Sequence, residues 1–192
     1  MTQPRTVGLF LMDGTSDGRI KCSLDNWVGK VYLIPRTEVT RSKDRPELTQ
    51  TGIYLLLGTD DASGDDFVYV GQAQERKNGN GVLGRVAEHL NEKDKDYFTH
   101  TIVIIDSENS FGPTEISYLE NAFYNLAKDA DHYGSSYAAD HGRRGRGPEA
   151  SDCLEHDTMQ VLRQTACEHA RARSATTRTS TWPTGPRCCL RL

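Results

Sequence analysis

The chain of 192 residues lacks a long apolar run and has few cysteines. A membrane-spanning helix needs about 20 consecutive, predominantly apolar residues. The N-terminal segment MTQPRTVGLFLMDG also lacks the pattern of a signal peptide. The five cysteines are odd in number and have no framework spacing, which argues against a disulfide scaffold. We therefore expect a cytoplasmic protein that does not enter a membrane.

Positive charge is scarce over most of the chain. Residues 1–133 contain 14 Lys and Arg against 21 Asp and Glu, a net charge of −7. Residues 134–192 contain nine Arg, no Lys and six acidic residues, a net charge of +3. An acidic body is not the footprint of a strong nonspecific DNA binder. A site for a polyanion must therefore be local or assisted by metal ions.

The C-terminal segment 134–192 lacks the apolar periodicity of a second core. Its stretches HGRRGRGPEA and RARSATTRTSTWPTGPRCC combine Arg, Ala, Thr, Pro and Cys. Such a mixture is typical of a shifted reading frame in GC-rich DNA. We predict that this segment is a disordered or frameshifted tail, and the other reading frames of the source DNA test that prediction.

Turn signals divide the first 50 residues, which we assign to an N-terminal β extension. The runs TVGLFLMDG, RIKCSL and KVYLIP are apolar or alternating, and Asp, Gly and Asn separate them. These patterns predict an antiparallel meander over residues 6–35.

The middle of the chain, residues 51–133, has the pattern of an α+β domain. TGIYLLLG and FVYVG predict a hairpin, and THTIVIID predicts a third strand. VLGRVAEHL and PTEISYLENAFYNLAKDA have helical spacing. The second helix has an apolar stripe formed by Ile116, Leu119, Phe123, Leu126 and Ala127.

Three sets of residues in this domain are candidates for chemistry. Glu120 lies at the edge of the apolar stripe, where it would either bind a cation or extend to the rim. Arg85 and His89 share one helix face and suit an anionic substrate, or they form a solvated face with Glu88 and Glu92. Tyr54 and Tyr69 either face a cleft or pack in the core.

The order of these elements resembles the GIY-YIG nuclease superfamily, small bacterial members included. The matching residues are Gly52-Ile53-Tyr54, Tyr69-Val70-Gly71, Arg85 with His89, and Glu120-Asn121. The resemblance covers roughly residues 51–130. It implies a small antiparallel three-stranded sheet flanked by helices. It also implies cleavage of DNA phosphodiester bonds with one divalent metal ion, Mg²⁺ or Mn²⁺.

The resemblance also implies a role for each residue at the phosphate. Glu120 would ligate the metal, which suits a hard cation that keeps several waters. Arg85 would clamp the phosphate and stabilise the transition state, and Asn121 would contact the substrate.

The two tyrosines and the histidine would act on the attacking water. Tyr54 would be the general base, Tyr69 would hold water or phosphate, and His89 would assist Tyr54 or contact the phosphate. Certain relatives have a lysine directly after the second glycine, where it can lower a phenol pKa, but this chain has Gln72.

Two other interpretations remain open. The domain could bind nucleic acid without cutting it, or the chain could be a defective product with a frameshifted C-terminus. The sequence favours no particular oligomeric state.

Overall fold

The computed structural model describes residues 4–61, 64–75 and 80–129. This part of the chain is an α+β fold with one six-stranded antiparallel sheet and two α-helices. The predicted α+β class is confirmed, but the sheet has six strands where we predicted three. The predicted tail, residues 134–192, lies outside the described residues.

The strands follow the apolar runs of the sequence, and the predicted meander is present. In chain order they are β1 (Val7–Leu11), β2 (Ile20–Leu24), β3 (Gly29–Pro35), β4 (Gly52–Thr59), β5 (Asp66–Ala73) and β6 (Phe98–Asp106). The helices are α1 (Val82–His89) and α2 (Pro113–Asp129). In the described part of the chain, neither helix is long and apolar enough to cross a bilayer.

The central strand β6 explains why the sheet is larger than predicted. The strand order is β1-β2-β3-β6-β4-β5, so β6 pairs with both β3 and β4. In β3, Val31 and Leu33 are buried on one face of the sheet, and Tyr32 and Ile34 are buried on the other. A strand with both faces buried does not stand apart in a separate meander, and it continues the sheet of the central domain.

Each face of the sheet is covered by one helix. On the first face, Val68 and Val70 belong to one apolar cluster with Ile116, Leu119 and Phe123 of α2. The predicted stripe of α2 is therefore its buried side, with Leu126 and Ala127 at its margin. On the second face, Tyr54 and Tyr69 belong to a cluster with Val82 and Val86 of α1.

The start of α1 is fixed by a close backbone contact. The N–H of Val82 donates a hydrogen bond to the carbonyl oxygen of Gln50 at 2.9 Å. A Cβ atom on Gly81 would overlap the carbonyl oxygens of Thr49 and Gln50. Glycine therefore allows α1 to dock against the segment that leads into β4.

Candidate active site

The phenol of Tyr54 lies directly over the backbone of Gly71. The two residues are opposite one another in the β4–β5 pair. A Cβ atom at Gly71 would lie 2.5 Å from both Cζ and the hydroxyl oxygen of Tyr54. Real Cβ atoms essentially never come this close to another heavy atom. The glycine of the YVG motif thus leaves the space that the tyrosine of the GIY motif occupies.

Tyr54, His89 and Glu92 form a chain of hydrogen bonds. The hydroxyl oxygen of Tyr54 is 2.8 Å from Nε2 of His89, and Nδ1 of His89 is 2.7 Å from a carboxylate oxygen of Glu92. An ionised carboxylate only accepts, so Nδ1 carries the proton. Nε2 of the neutral ring then accepts the hydrogen bond that Tyr54 donates.

Burial determines the protonation states of Tyr54 and His89. It raises the pKa of Tyr54 well above its usual value of 10.0, and the neighbouring Tyr69 adds to that increase while Arg85 opposes it. Burial lowers the pKa of His89 from 6.5, against the opposite effect of Glu92. Near neutral pH the phenol therefore keeps its proton and the imidazole is a neutral acceptor.

Tyr69 completes an aromatic cluster. Its ring centroid is 6.0 Å from that of Tyr54 and 5.5 Å from that of His89. The ammonium nitrogen of Lys95 lies 4.3 Å from the Tyr69 ring centroid, in the range of a cation–π contact. Lys95 is buried, and Asp94 lies 3.4 Å from its nitrogen.

Arg36 holds the loop that carries Lys95. Its guanidinium donates hydrogen bonds to the carbonyl oxygens of Lys95 at 3.1 Å and Leu90 at 3.2 Å. The same guanidinium lies 4.3 Å from the ring centroid of Phe98. These contacts fix the segment between α1 and β6 beside the aromatic cluster.

Arg85 brings positive charge to the surface next to Tyr54. Its side chain is about one-third exposed and donates a hydrogen bond to Glu88 at 2.7 Å. The bond to Glu88 is the main reason why the pKa of Arg85 is raised, and Tyr54 also contributes. The guanidinium is a permanent cation that solvent can reach and that an anion can contact.

Glu120 lies on the other side of β5. It belongs to α2, and one of its carboxylate oxygens accepts a hydrogen bond of 2.9 Å from Nε2 of Gln72. Asn121 is exposed, and its side chain donates to the carbonyl oxygen of Ser117 at 2.8 Å. Gln72 and Glu120 therefore lie on the α2 face of the edge strand β5, whereas Tyr54, Tyr69 and His89 lie on the α1 face, so the described structure does not bring these predicted site residues into one cluster.

The side chains at Glu120 suit a single Mg²⁺-like ion with one protein ligand better than a metal site built from several protein ligands. Among the described residues, no group of three or more His, Cys, Asp or Glu could hold a metal ion. A half-buried carboxylate oriented by an amide is the kind of protein ligand that Mg²⁺ uses when water and phosphate supply the others.

The sequence did not reveal Lys95 as a member of the site, and it placed Glu92 near His89 without the hydrogen bond that joins them. Helical spacing placed Glu92 on a solvated face, but its carboxylate accepts a hydrogen bond from His89. Lys95 lies in the charged run EKDKD, which carries no apolar period. Comparison of the chain with protein-family models, with curated proteins and with solved structures gives no match.

Proposed function

We propose that the protein is a metal-dependent endonuclease of the GIY-YIG type, which hydrolyses phosphodiester bonds in DNA. The observation that carries the proposal is the position of the Tyr54 hydroxyl group. It lies over Gly71 of the YVG motif and 2.8 Å from Nε2 of His89. Three separate motifs of the sequence therefore meet at one polar atom.

The hydrogen-bond chain supports a proton relay. A phenol with a raised pKa is a weak base by itself because it does not lose its proton near pH 7. Tyr54 instead passes its proton to Nε2 of His89 while it accepts a proton from the attacking water. The resulting imidazolium is stabilised by the carboxylate of Glu92, 2.7 Å from Nδ1. The hydroxide forms the new bond to phosphorus, and the bond to the leaving oxygen breaks.

Two charged residues would bind the phosphate. Arg85 is permanently charged and partly exposed, and it would exchange Glu88 for the phosphate oxygens. Glu120 would hold the Mg²⁺ or Mn²⁺ ion, with Gln72 fixing the carboxylate. When bound, such an ion stabilises negative charge on the phosphate and on the leaving oxygen. Asn121 follows Glu120 on the exposed surface of α2, where it would contact the DNA.

A cleavage assay with matched variants tests the proposal. Supercoiled plasmid, branched DNA and single-stranded DNA are incubated with the full chain in Mg²⁺, in Mn²⁺ and in chelator. We expect metal-dependent cutting that Tyr54→Phe and Glu120→Gln each reduce by about 100-fold or more. Cutting at an unchanged rate in both variants would overturn the assigned roles.

Two control variants separate chemistry from folding. Tyr97→Phe removes a buried hydroxyl that has no hydrogen-bond partner in the described part of the chain, and Glu108→Gln removes an exposed carboxylate near α2. Both should cut at the wild-type rate. Loss of cutting in these controls would mean that the assay reports on the fold instead of the site.

A second candidate function is DNA binding without cleavage. It is favoured by the ion pair between Arg85 and Glu88 and by the proton that Tyr54 retains. In that case folded wild-type protein would bind DNA in Mg²⁺ and leave every substrate intact.

A further inference from the structure

The edge strand β1 has an unusual surface. Leu9, Phe10 and Leu11 are exposed to 40%, 60% and 41%, and the strand Val7–Leu11 contains no charge and no proline. Natural edge strands usually carry Lys, Pro or a bulge that prevents pairing with another chain. This strand has none of those features, and among the described residues no further strand pairs with its outer edge.

The direction of the backbone groups of β1 follows from its pairing with β2. The N–H of Met12 donates to the carbonyl oxygen of Arg19, and the carbonyl oxygen of Thr6 accepts from Asp25. Backbone groups alternate in direction along an antiparallel strand. The N–H and C=O groups of Val7, Leu9 and Leu11 therefore point away from β2, along the open edge.

We propose that two copies of this chain pair through β1 as an antiparallel dimer with its twofold axis at Leu9. In this register Leu9 is opposite the partner's Leu9, and Val7 is opposite the partner's Leu11. All three outward-facing residues then form hydrogen-bonded pairs, with about six main-chain hydrogen bonds between the copies. The two sheets become one continuous sheet. This inference does not depend on the proposed function.

In the same register the side chains of the two copies also fit together. Gly8 of one copy is opposite the partner's Phe10, in a pair without main-chain hydrogen bonds, where Cα atoms are about 4.5 Å apart. Beside Gly8 is a cavity of about 310 Å³, which is also lined by Phe10, Ser23, Lys21 and Arg45. The partner's Phe10 enters this cavity, because Gly8 has no side chain to exclude it. The two cations at the cavity suit an aromatic ring.

A second copy is favoured over a different partner because the edge is complementary to itself. The closed twofold symmetry brings Phe10 of each copy against Gly8 of the other copy. The strand is uncharged, so two copies meet without repulsion between like charges. The strand order also places the candidate active site at the opposite edge of the sheet, β5, so pairing through β1 leaves that site open.

Sedimentation of the full chain over a range of concentrations tests the proposal. We expect a dimer for the wild type, and a dissociation constant at least about tenfold higher for Leu9→Lys and for Leu9→Glu, because like charges lie directly opposite. An equimolar mixture of Leu9→Lys and Leu9→Glu should restore the dimer. A matched control, Val28→Lys, changes a hydrophobic residue that is also 40% exposed but lies outside β1, and should remain dimeric.

Three outcomes would overturn the proposal. A monomeric wild type at every concentration would mean that β1 is left open, or that it is covered by another segment of the chain or another protein. A dimer that persists in both Leu9 variants would place the interface elsewhere. A mixture that stays monomeric while each variant remains folded by circular dichroism would exclude the register centred on Leu9.

Discussion

The hydroxyl oxygen of Tyr54 lies 2.8 Å from Nε2 of His89, and each of these residues is only 1% exposed. This contact joins β4 to the last turn of α1. The two buried polar groups form a hydrogen bond with each other, as most buried polar groups in proteins do. The pair therefore stabilises the fold and is also the centre of the candidate active site.

Gly71→Ala should displace the Tyr54 phenol. The new methyl group would lie 2.5 Å from the ring, so the ring or strand β5 must move. We expect a loss of about 1–3 kcal/mol in the free energy of unfolding, as in other overpacked cores. Urea denaturation measures this loss.

A double-mutant cycle identifies the clash as the cause. In a Tyr54→Leu background the shorter side chain leaves room beside Gly71, so adding Gly71→Ala should cost much less. An equal cost in both backgrounds would show that the alanine acts through the backbone and not through Tyr54.

Stability should fall as the pH falls below 6.5, in part because of His89. Burial lowers the pKa of His89 in the folded state, so the unfolded chain binds this proton first. The histidine's contribution is therefore fully present above pH 6.5 and is lost as the pH falls toward the folded-state pKa. The slope for one proton is at most about 1.4 kcal/mol per pH unit. Urea denaturation between pH 7 and pH 5 measures it.

His89→Gln is the control for the pH dependence. Glutamine can still accept the hydrogen bond from Tyr54 but takes up no proton in this range. The difference in slope between wild type and variant isolates the contribution of His89 from that of the other histidines. If the free energy of unfolding changed equally with pH in wild type and in His89→Gln, the assignment of a neutral, buried imidazole would be wrong.

Lys95→Met should raise the pKa of His89. The positive charge of Lys95 contributes to lowering that pKa, so its removal favours the protonated imidazole. The variant also loses the cation–π contact with Tyr69, worth about 0.5–2 kcal/mol. NMR titration of the His89 ring measures the pKa. The exposed Lys93 offers the matched control, Lys93→Met, which should leave the pKa close to the wild-type value.

Metal binding at Glu120 should be visible without any DNA. At a Mn²⁺ concentration about 100 times the dissociation constant, binding adds about 2.7 kcal/mol to the free energy of unfolding. We expect Mn²⁺ to raise the melting temperature of the wild type and of Glu108→Gln, but not that of Glu120→Gln. An equal rise in melting temperature in all three proteins would mean that Glu120 does not bind the ion.

Periodicity predicted the elements of this fold well. The apolar runs gave the six strands and both helices, because each run reflects a face that must be buried. The sequence pattern did not show which strands pair with one another. That β3 pairs with β6 depends on a strand far away in the sequence, and the alternation within β3 does not specify its neighbour.

The candidate site was predictable only where residues belong to a motif. Tyr54 of β4 and Tyr69 of β5 point to the same face of the sheet, and α1 packs against that face and brings His89 to them. Glu92 follows His89 at i+3, a spacing that the sequence also offered as a solvated face, whereas Lys95 comes from an irregular charged segment that no spacing marks. The bond from Gln72 to Glu120 depends on how α2 crosses β5, which a single sequence does not define.

The central position of β6 has a consequence for synthesis of the chain. The strands β1 to β3 and the hairpin β4–β5 leave the ribosome before β6, and the buried strands β3 and β4 then have open edges. Leu33 and Leu55 both pair with Ile102, so β6 closes the two edges together. A nascent chain that stalls before residue 98 would present two apolar edges prone to aggregation. We expect chaperone dependence to end when β6 emerges, and crosslinking of stalled chains of increasing length would show where it ends.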